Sequence, residues 1–268
     1  MSTTPAPLSV WWDAPADGPT NMALDEALAD EACRRGAVLV RVSTWARPEV
    51  SLGAFQRFAD ARACGALSGL PISRRPSGGG AIVHGSDVTL AIAVPRGHGL
   101  AASAQALYDT AHRAMVQALA GRGVPARLWS GTGPGADPPD GPLLCFDRRS
   151  TGDVVVDAAA PGRRDHKILG SAQRRLRGAV LQHGSLLLES NGGVGPAARH
   201  EGLADLFPSA GPWALTAGRG LLQEWLDRLA TSLGGGLVEE PGSFRPTDAA
   251  AFEETLTRYR GGAWIERR

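Results

Sequence analysis

HKILGSAQRRLRGAVLQHGSLLL (residues 166–188) holds two apolar, strand-like runs on either side of RRLRG, a turn-forming segment. Two such runs so close together read as a β-hairpin or as adjacent strands. In either arrangement Lys167 and His183 lie on neighbouring strands, and Gly170, Ser171 and Ala172 are small enough to wall a narrow apolar slot. Lys167 is also the only lysine in the chain, since the other 27 of the 28 basic residues are arginine. A compact, titratable ammonium does chemistry that a guanidinium fork does not. The competing explanation is chance in an arginine-biased composition.

Working outward, AVLVRVSTW (37–45) is rich in β-branched residues, and IVHG and VTLAIAVP (82–95) read as strands broken near Gly85 to Asp87. Thr20 and Asn21 are expected to cap a helix running to about Arg35, with Gly36 as its stop. Further amphipathic helices are expected over 101–120, near 216–233 and over 247–259, and ARLW (126–129) opens a short strand. The order of elements is mixed rather than a regular βαβ alternation. It implies one α+β domain over 1–268, with a central mixed, largely antiparallel sheet flanked by helices. Residues 1–8 are expected to form a flexible terminus. SGTGPGADPPDGP (130–142) is expected to be a flexible loop, because its prolines deny the GxGxG a following helix.

The chain has 268 residues and a formal net charge of +1, which argues against nucleic acid or an anionic membrane as a bulk electrostatic partner. Its first residues show neither a basic n-region nor an apolar h-region, so a cytoplasmic location is expected. Cys33, Cys64 and Cys145 are odd in number and widely spaced, with no CxxC, so no disulfide framework and no metal site is indicated.

Three segments carry candidate chemistry. RRPSGGGAIVHG (74–85) places Arg74 and Arg75 ahead of Gly78, Gly79 and Gly80, where the backbone can approach a ligand closely; His84 follows. No Gly-Lys-Ser/Thr follows, so it is not a Walker A loop, and a simple turn between strands remains an alternative. In the 166–188 segment Ser171 lacks a GxSxG elbow and is not read as a nucleophile. Arg174, Arg175 and Arg177 are either a solvated turn or a docking patch for an acidic partner. Cys145, in PLLCFDRRS, has neighbours that suit an ordinary buried cysteine. It also follows a Gly/Pro loop, where reactive residues are commonly carried, and an ammonium nearby would favour its thiolate.

Taken together, NMALDEALA, RRPSGGGAIVHG, HKILGSAQRR with GAVLQHGSLLL, and RYRGGAWIERR resemble, in that order, the lipoate-protein ligase, octanoyltransferase and biotin-protein ligase superfamily. The resemblance implies a biotin-ligase-like fold with an acyl chain in a tunnel. Arg74, Arg75, Gly78 to Gly80, His84, Gly170 to Ala172 and His183 would then bind substrate, and Lys167 would contact the acyl carbonyl. CFDRRSTGDVVV, ahead of the lysine, is similar to the cysteine-loop octanoyltransferases and makes Cys145 the expected nucleophile. The chain ends soon after RYRGGAW, whereas ATP-dependent lipoate ligases commonly carry an accessory C-terminal domain. The implied activity moves an octanoyl group from acyl carrier protein, through a cysteine acyl-enzyme, to the lysine of a lipoyl domain or glycine-cleavage H protein, without a cofactor. The rival readings are an ATP-dependent lipoate ligase (with ATP and Mg), a lipoyl-domain amidotransferase and a non-catalytic acyl-binding protein. Gly85 stands where the family usually shows an acidic residue, and DAAAPGRRDH looks like an insertion.

Overall fold

The structure is a computed structural model and describes residues 7–131, 142–157, 165–191, 194–211, 213 and 219–267. Its strands are β1 (Leu8–Trp12), β2 (Leu39–Ser43), β3 (Glu49–Leu52), β4 (Ile72–Arg74), β5 (Ile82–His84), β6 (Asp87–Pro95), β7 (Ala126–Leu128), β8 (Val154–Val156), β9 (His166–Arg175), β10 (Ala179–Leu187) and β11 (Leu237–Glu239). Its helices are α1 (Gly18–Arg35), α2 (Phe58–Ala63), α3 (Ala104–Ala120), α4 (Leu203–Leu206), α5 (Arg219–Ser232), α6 (Ala249–Arg260) and α7 (Gly262–Ile265). Eight strands form one sheet in the order β11-β1-β2-β6-β10-β9-β8-β7, and β4-β3-β5 form a second, smaller one. The pairings of β1 with β11 and β2 are parallel, and all others in the large sheet are antiparallel. This is the mixed, helix-flanked α+β architecture expected from the sequence.

The opening stretch is indeed the hairpin β9–β10, with Ala172 opposite His183 and Gly170 opposite Ser185. Side chains alternate across a strand, so β6 sends Val88, Leu90, Ile92 and Val94 to the main core against α3 and α5. Thr89, Ala91 and Ala93 point the other way, toward α1. Large branched residues therefore fill one face of the sheet, and small ones leave room on the other.

Several local expectations shift. Asp17, not Thr20 or Asn21, caps α1: its carboxylate accepts from the Thr20 N–H at 3.0 Å, with Pro19 in the first turn. Asn21 lies inside the helix and donates instead to the carbonyls of Ala16 and Thr44. The expected flexible terminus does not extend to residue 8, because Leu8 is buried in β1 and its N–H donates to Gly236 O. Most of the expected 130–142 loop and of the insertion-like stretch lies outside the described residues.

Candidate active site

The sequence gives the lone lysine a crowded place. A register shift between β8 and β9 opposite Val154 and Val155 puts an extra residue into β9, so Lys167 and Gly170 share a face. Lys167 Nζ lies 2.8 Å from Asp153 Oδ2, 3.2 Å from Arg148 O, 3.3 Å from Cys145 O and 3.5 Å from Cys145 Sγ. Burial opposes its charge, but the Cys145 sulfur and the Asp153 carboxylate outweigh that penalty, and the net shift of its pKa is upward. It is a fixed ammonium beside a cysteine sulfur. Asp153 is itself held by Tyr108 Oη at 2.5 Å and by the Ser150 N–H at 2.7 Å.

Cys145 opens a single 3-10 turn, and that turn is clamped by the glycine loop. Ala81 N donates to Leu143 O at 2.8 Å, and Cys145 N donates to Ala81 O at 2.7 Å. A Cβ on Gly80 would stand 2.8 Å from Cys145 N, so the close approach requires glycine. Arg75, fully buried, donates to Gly78 O, Gly80 O and Ser51 O and fixes the loop from behind. These bonds commit its terminal nitrogens to the protein itself, and Lys167 remains the charged donor beside the sulfur.

Cys145 also lines a narrow, mostly apolar cavity on the α1 face of the sheet. Its floor is the row Gly170, Ser185, Thr89 across β9, β10 and β6, with Ala172 and His183 in the next row. Gly79, Ile82 and His84 form a side wall, and Met22 and Trp45 complete the lining. Trp45 stacks on His84 with ring centroids 3.7 Å apart, and its indole N–H donates to Thr89 Oγ1 at 2.9 Å. Two strand spacings separate Gly170 from Thr89, about 10 Å.

Of the residues read from the sequence, Cys145, Arg75, Gly79, His84, Gly170, Ser171, Ala172 and His183 line this cavity; Lys167 meets it at Cys145. Gly78 and Gly80 shape the loop. Arg74 is not brought to the cavity: it is buried elsewhere and donates to Gly53 O, Gln56 O and Ile265 O. Both ring nitrogens of His84 are engaged, by Ser51 and Asp87, and both of His183, by Ser77 and Asp25, so these histidines are walls rather than bases. Asp87 answers the missing acidic residue at Gly85: two positions on, its carboxylate reaches His84 Nδ1 at 2.8 Å. Arg174 lies at the other end of β9, seven residues and thus about 23 Å from Lys167. Asp153, Tyr108 and Trp45 were not found by reading the sequence; no spacing rule pairs residue 153 with 167, because a β-bulge makes that contact.

A cysteine and a buried ammonium at the mouth of a narrow apolar slot, on a mixed sheet of this topology, define an acyl-handling enzyme. Residues 17–205 match the lipoyl protein ligase A/B catalytic domain, and the chain belongs to that family. It is 31% identical to octanoyltransferase LipM of Moorella thermoacetica over 94% of this chain and 95% of that protein. It is 38% identical to octanoyltransferase LipM of Symbiobacterium thermophilum over 64% of this chain and 62% of that one. Among solved structures, a lipoate-protein ligase A bound with ATP superposes with a TM-score of 0.68 at 17% identity, covering 98% of each chain.

Proposed function

We propose that the protein is an octanoyltransferase of protein lipoylation, carrying the acyl group as a thioester on Cys145. Octanoyl-acyl carrier protein is the proposed donor, and a lipoyl domain or glycine-cleavage H protein the acceptor. The observation that carries the reading is Lys167 Nζ, 3.5 Å from Cys145 Sγ and held there by three oxygen acceptors. The names of the relatives support octanoyl transfer. So does the cavity: an eight-carbon chain of about 1.5 Å bonds extends about 9 Å, close to the width of its floor.

The chemistry needs a thiolate, a donor for the developing oxyanion, and a dry slot. The ammonium of Lys167 stabilises negative charge on sulfur. Cys145 then attacks the donor's thioester carbonyl, and the positive charge of the same ammonium lies close to where the oxyanion develops. The carrier thiolate leaves, and the acyl chain lies across the strands toward Trp45. An amine then attacks the new thioester and leaves an amide. Because the leaving group is already a thiolate, the reading requires no ATP and no metal. Among the described residues no group of acidic, histidine and cysteine side chains is arranged to hold an ion, and no helix is long and apolar enough to cross a membrane.

The test is incubation with octanoyl-acyl carrier protein and an apo lipoyl domain, with and without ATP. Intact mass spectrometry should show one octanoyl group on the enzyme when acceptor is withheld, absent from Cys145→Ala, and transfer without ATP. Transfer only with ATP, or full turnover by Cys145→Ala, refutes the reading.

A further inference from the structure

Amide formation leaves one proton to be placed, because the attacking amine carries one more than the product amide. Lys167 is poorly suited to take it, because its ammonium is already satisfied by Asp153 and two carbonyls. Four of the six histidines are also removed by their geometry. His84 and His183 have both ring nitrogens bonded. His112 is buried on α3 between Gly152 O and Ser171 Oγ, each 2.7 Å away. His98 bonds the N–H of Leu100 just past the end of β6, beside the β9–β10 turn, about 23 Å or more along β9 from the nucleophile.

The remaining two, His166 and His200, line a second cleft. It has about 390 Å³ of space, is lined mostly by charged and polar side chains where the acyl cavity is apolar, and includes Phe146 and Lys167 in its wall. The nucleophile turn therefore separates two spaces. Cys145 lines the apolar one, and the next two residues of its turn, Phe146 and Asp147, line the polar one together with Lys167, whose Nζ lies 3.5 Å from the Cys145 sulfur. His200 is the better built of the pair. Its Nε2 donates to Asp147 Oδ1 at 3.1 Å, and its backbone N–H to Asn191 Oδ1 at 3.0 Å. Asn191 is itself buried and tied to Ala198 O. Since a carboxylate only accepts, Nε2 carries the ring proton and Nδ1 keeps its lone pair; among the described residues nothing bonds Nδ1. Asp147 belongs to the same short turn as Cys145, so the pair is coupled mechanically to the nucleophile. The Phe146 ring bridges the two, 5.7 Å from the His200 ring and 5.7 Å from Lys167 Nζ. Among the described residues the His166 ring meets the exposed Glu201, at 3.5 Å.

We propose that this polar cleft is the port for the acceptor's lysine and that His200, oriented by Asp147, accepts the proton the amine sheds as it attacks the acyl thioester. The inference rests on the transfer reading above. The amine nitrogen bonds to the thioester carbonyl carbon, and the carbon–sulfur bond breaks with its electron pair on Cys145. The surplus proton passes from nitrogen to His200 Nδ1, directly or through one water, and then to solvent. The Cys145 thiolate is left beside Lys167 for the next donor. The charged groups around His200 are Asp147 on the nucleophile turn, Arg149 beyond it, Asp165 and Lys167 at the start of β9, and its neighbours Arg199 and Glu201. Arg199 is turned to Ser190 Oγ, so Asp147 is the group in contact with the imidazole.

The two half-reactions separate the claims. Enzyme is loaded with octanoyl-acyl carrier protein, freed of donor, then chased with apo lipoyl domain and followed by intact mass spectrometry. His200→Gln should load within a few-fold of wild type and discharge slower by about 10²-fold, the usual worth of a positioned general base. Asp147→Asn should show the same split in smaller measure, His166→Gln should discharge normally, and free imidazole should restore discharge to His200→Ala. Normal discharge by His200→Gln, or slow discharge by His166→Gln in its place, overturns the inference. If His200→Gln is poorly folded, Asp147→Asn decides by the same split. A wild-type enzyme that never loads would instead refute the cysteine transfer itself.

Discussion

Gly170→Ala should leave the protein folded and nearly abolish its chemistry. Gly170 has no positive φ, so alanine meets no backbone strain. Its added Cβ, however, would stand 2.3 Å from Lys167 Cε and 2.6 Å from Nζ. Carbon atoms pack at about 3.5 Å or more, so the lysine must retreat by about 1.2 Å. The far end of a flexible side chain does this at small cost to the fold, but the retreat is all lost alignment at Cys145. A misplacement of about 1 Å costs about 10²-fold in rate, or about 2.7 kcal/mol of barrier. The assay is the rate of Cys145 acylation by octanoyl-acyl carrier protein, with alkylation of Cys145 by iodoacetamide reporting its thiolate. Because Gly170 also lines the acyl cavity, a butyryl donor separates two causes. If the methyl merely narrowed the slot, butyryl transfer would be spared; if it displaces the ammonium, both donors slow alike and alkylation slows with them. Acylation within a few-fold of wild type, or sparing of butyryl, refutes the reasoning.

Lys167→Arg should melt near the wild-type temperature yet transfer about 10²-fold more slowly, since a guanidinium presses on Gly170 and loses one well-placed donor; turnover near wild type would make the lone lysine an accident of composition. Arg74→Met should lower stability by about 3 kcal/mol in chemical denaturation by stranding buried carbonyls, with kcat of the folded fraction unchanged. His112 is pushed down to about 4 by burial. The folded state then binds fewer protons than the unfolded chain, whose histidine titrates near 6.5, so stability falls as pH drops below that value and the loss levels off below about 4. Between pH 7 and 5 the loss is about 2 kcal/mol, and His112→Gln should flatten that slope in denaturation curves.

What the sequence made legible was periodic. The alternation in β6 and the hairpin of β9 and β10 appear as expected, because large residues face α3 and α5 and small ones face the cavity. What it hid was contact made by irregularity. Asp153 reaches Lys167 through a bulge that no spacing announces. The pair Arg74 and Arg75 looked equivalent as letters, yet side chains of successive residues in extended backbone diverge, and only Arg75 faces the glycine loop. The cap of α1 was misplaced for a related reason. Thr20 and Asn21 have capping side chains, but Pro19 sets the first turn one step earlier, and Asp17 is the residue left outside it.

The glycine triplet also shows why composition alone did not choose between transferase and ligase. A loop built to cradle phosphates turns its N–H groups and its open side toward the ligand. In this chain two carbonyls of the loop, Gly78 O and Gly80 O, turn inward to the buried guanidinium of Arg75. The space a side chain would fill at Gly80 is taken by the backbone of Cys145. The following residue, Ala81, exchanges hydrogen bonds with the segment carrying that cysteine, donating to Leu143 and accepting from Cys145. The glycines thus bring the backbone of RRPSGGGAIVHG against the backbone of the turn that Cys145 opens. That turn in turn lies under the ammonium of Lys167, whose own approach depends on Gly170 having no side chain. Two glycine positions far apart in sequence thereby converge on one sulfur atom, the one that the proposed transfer would load.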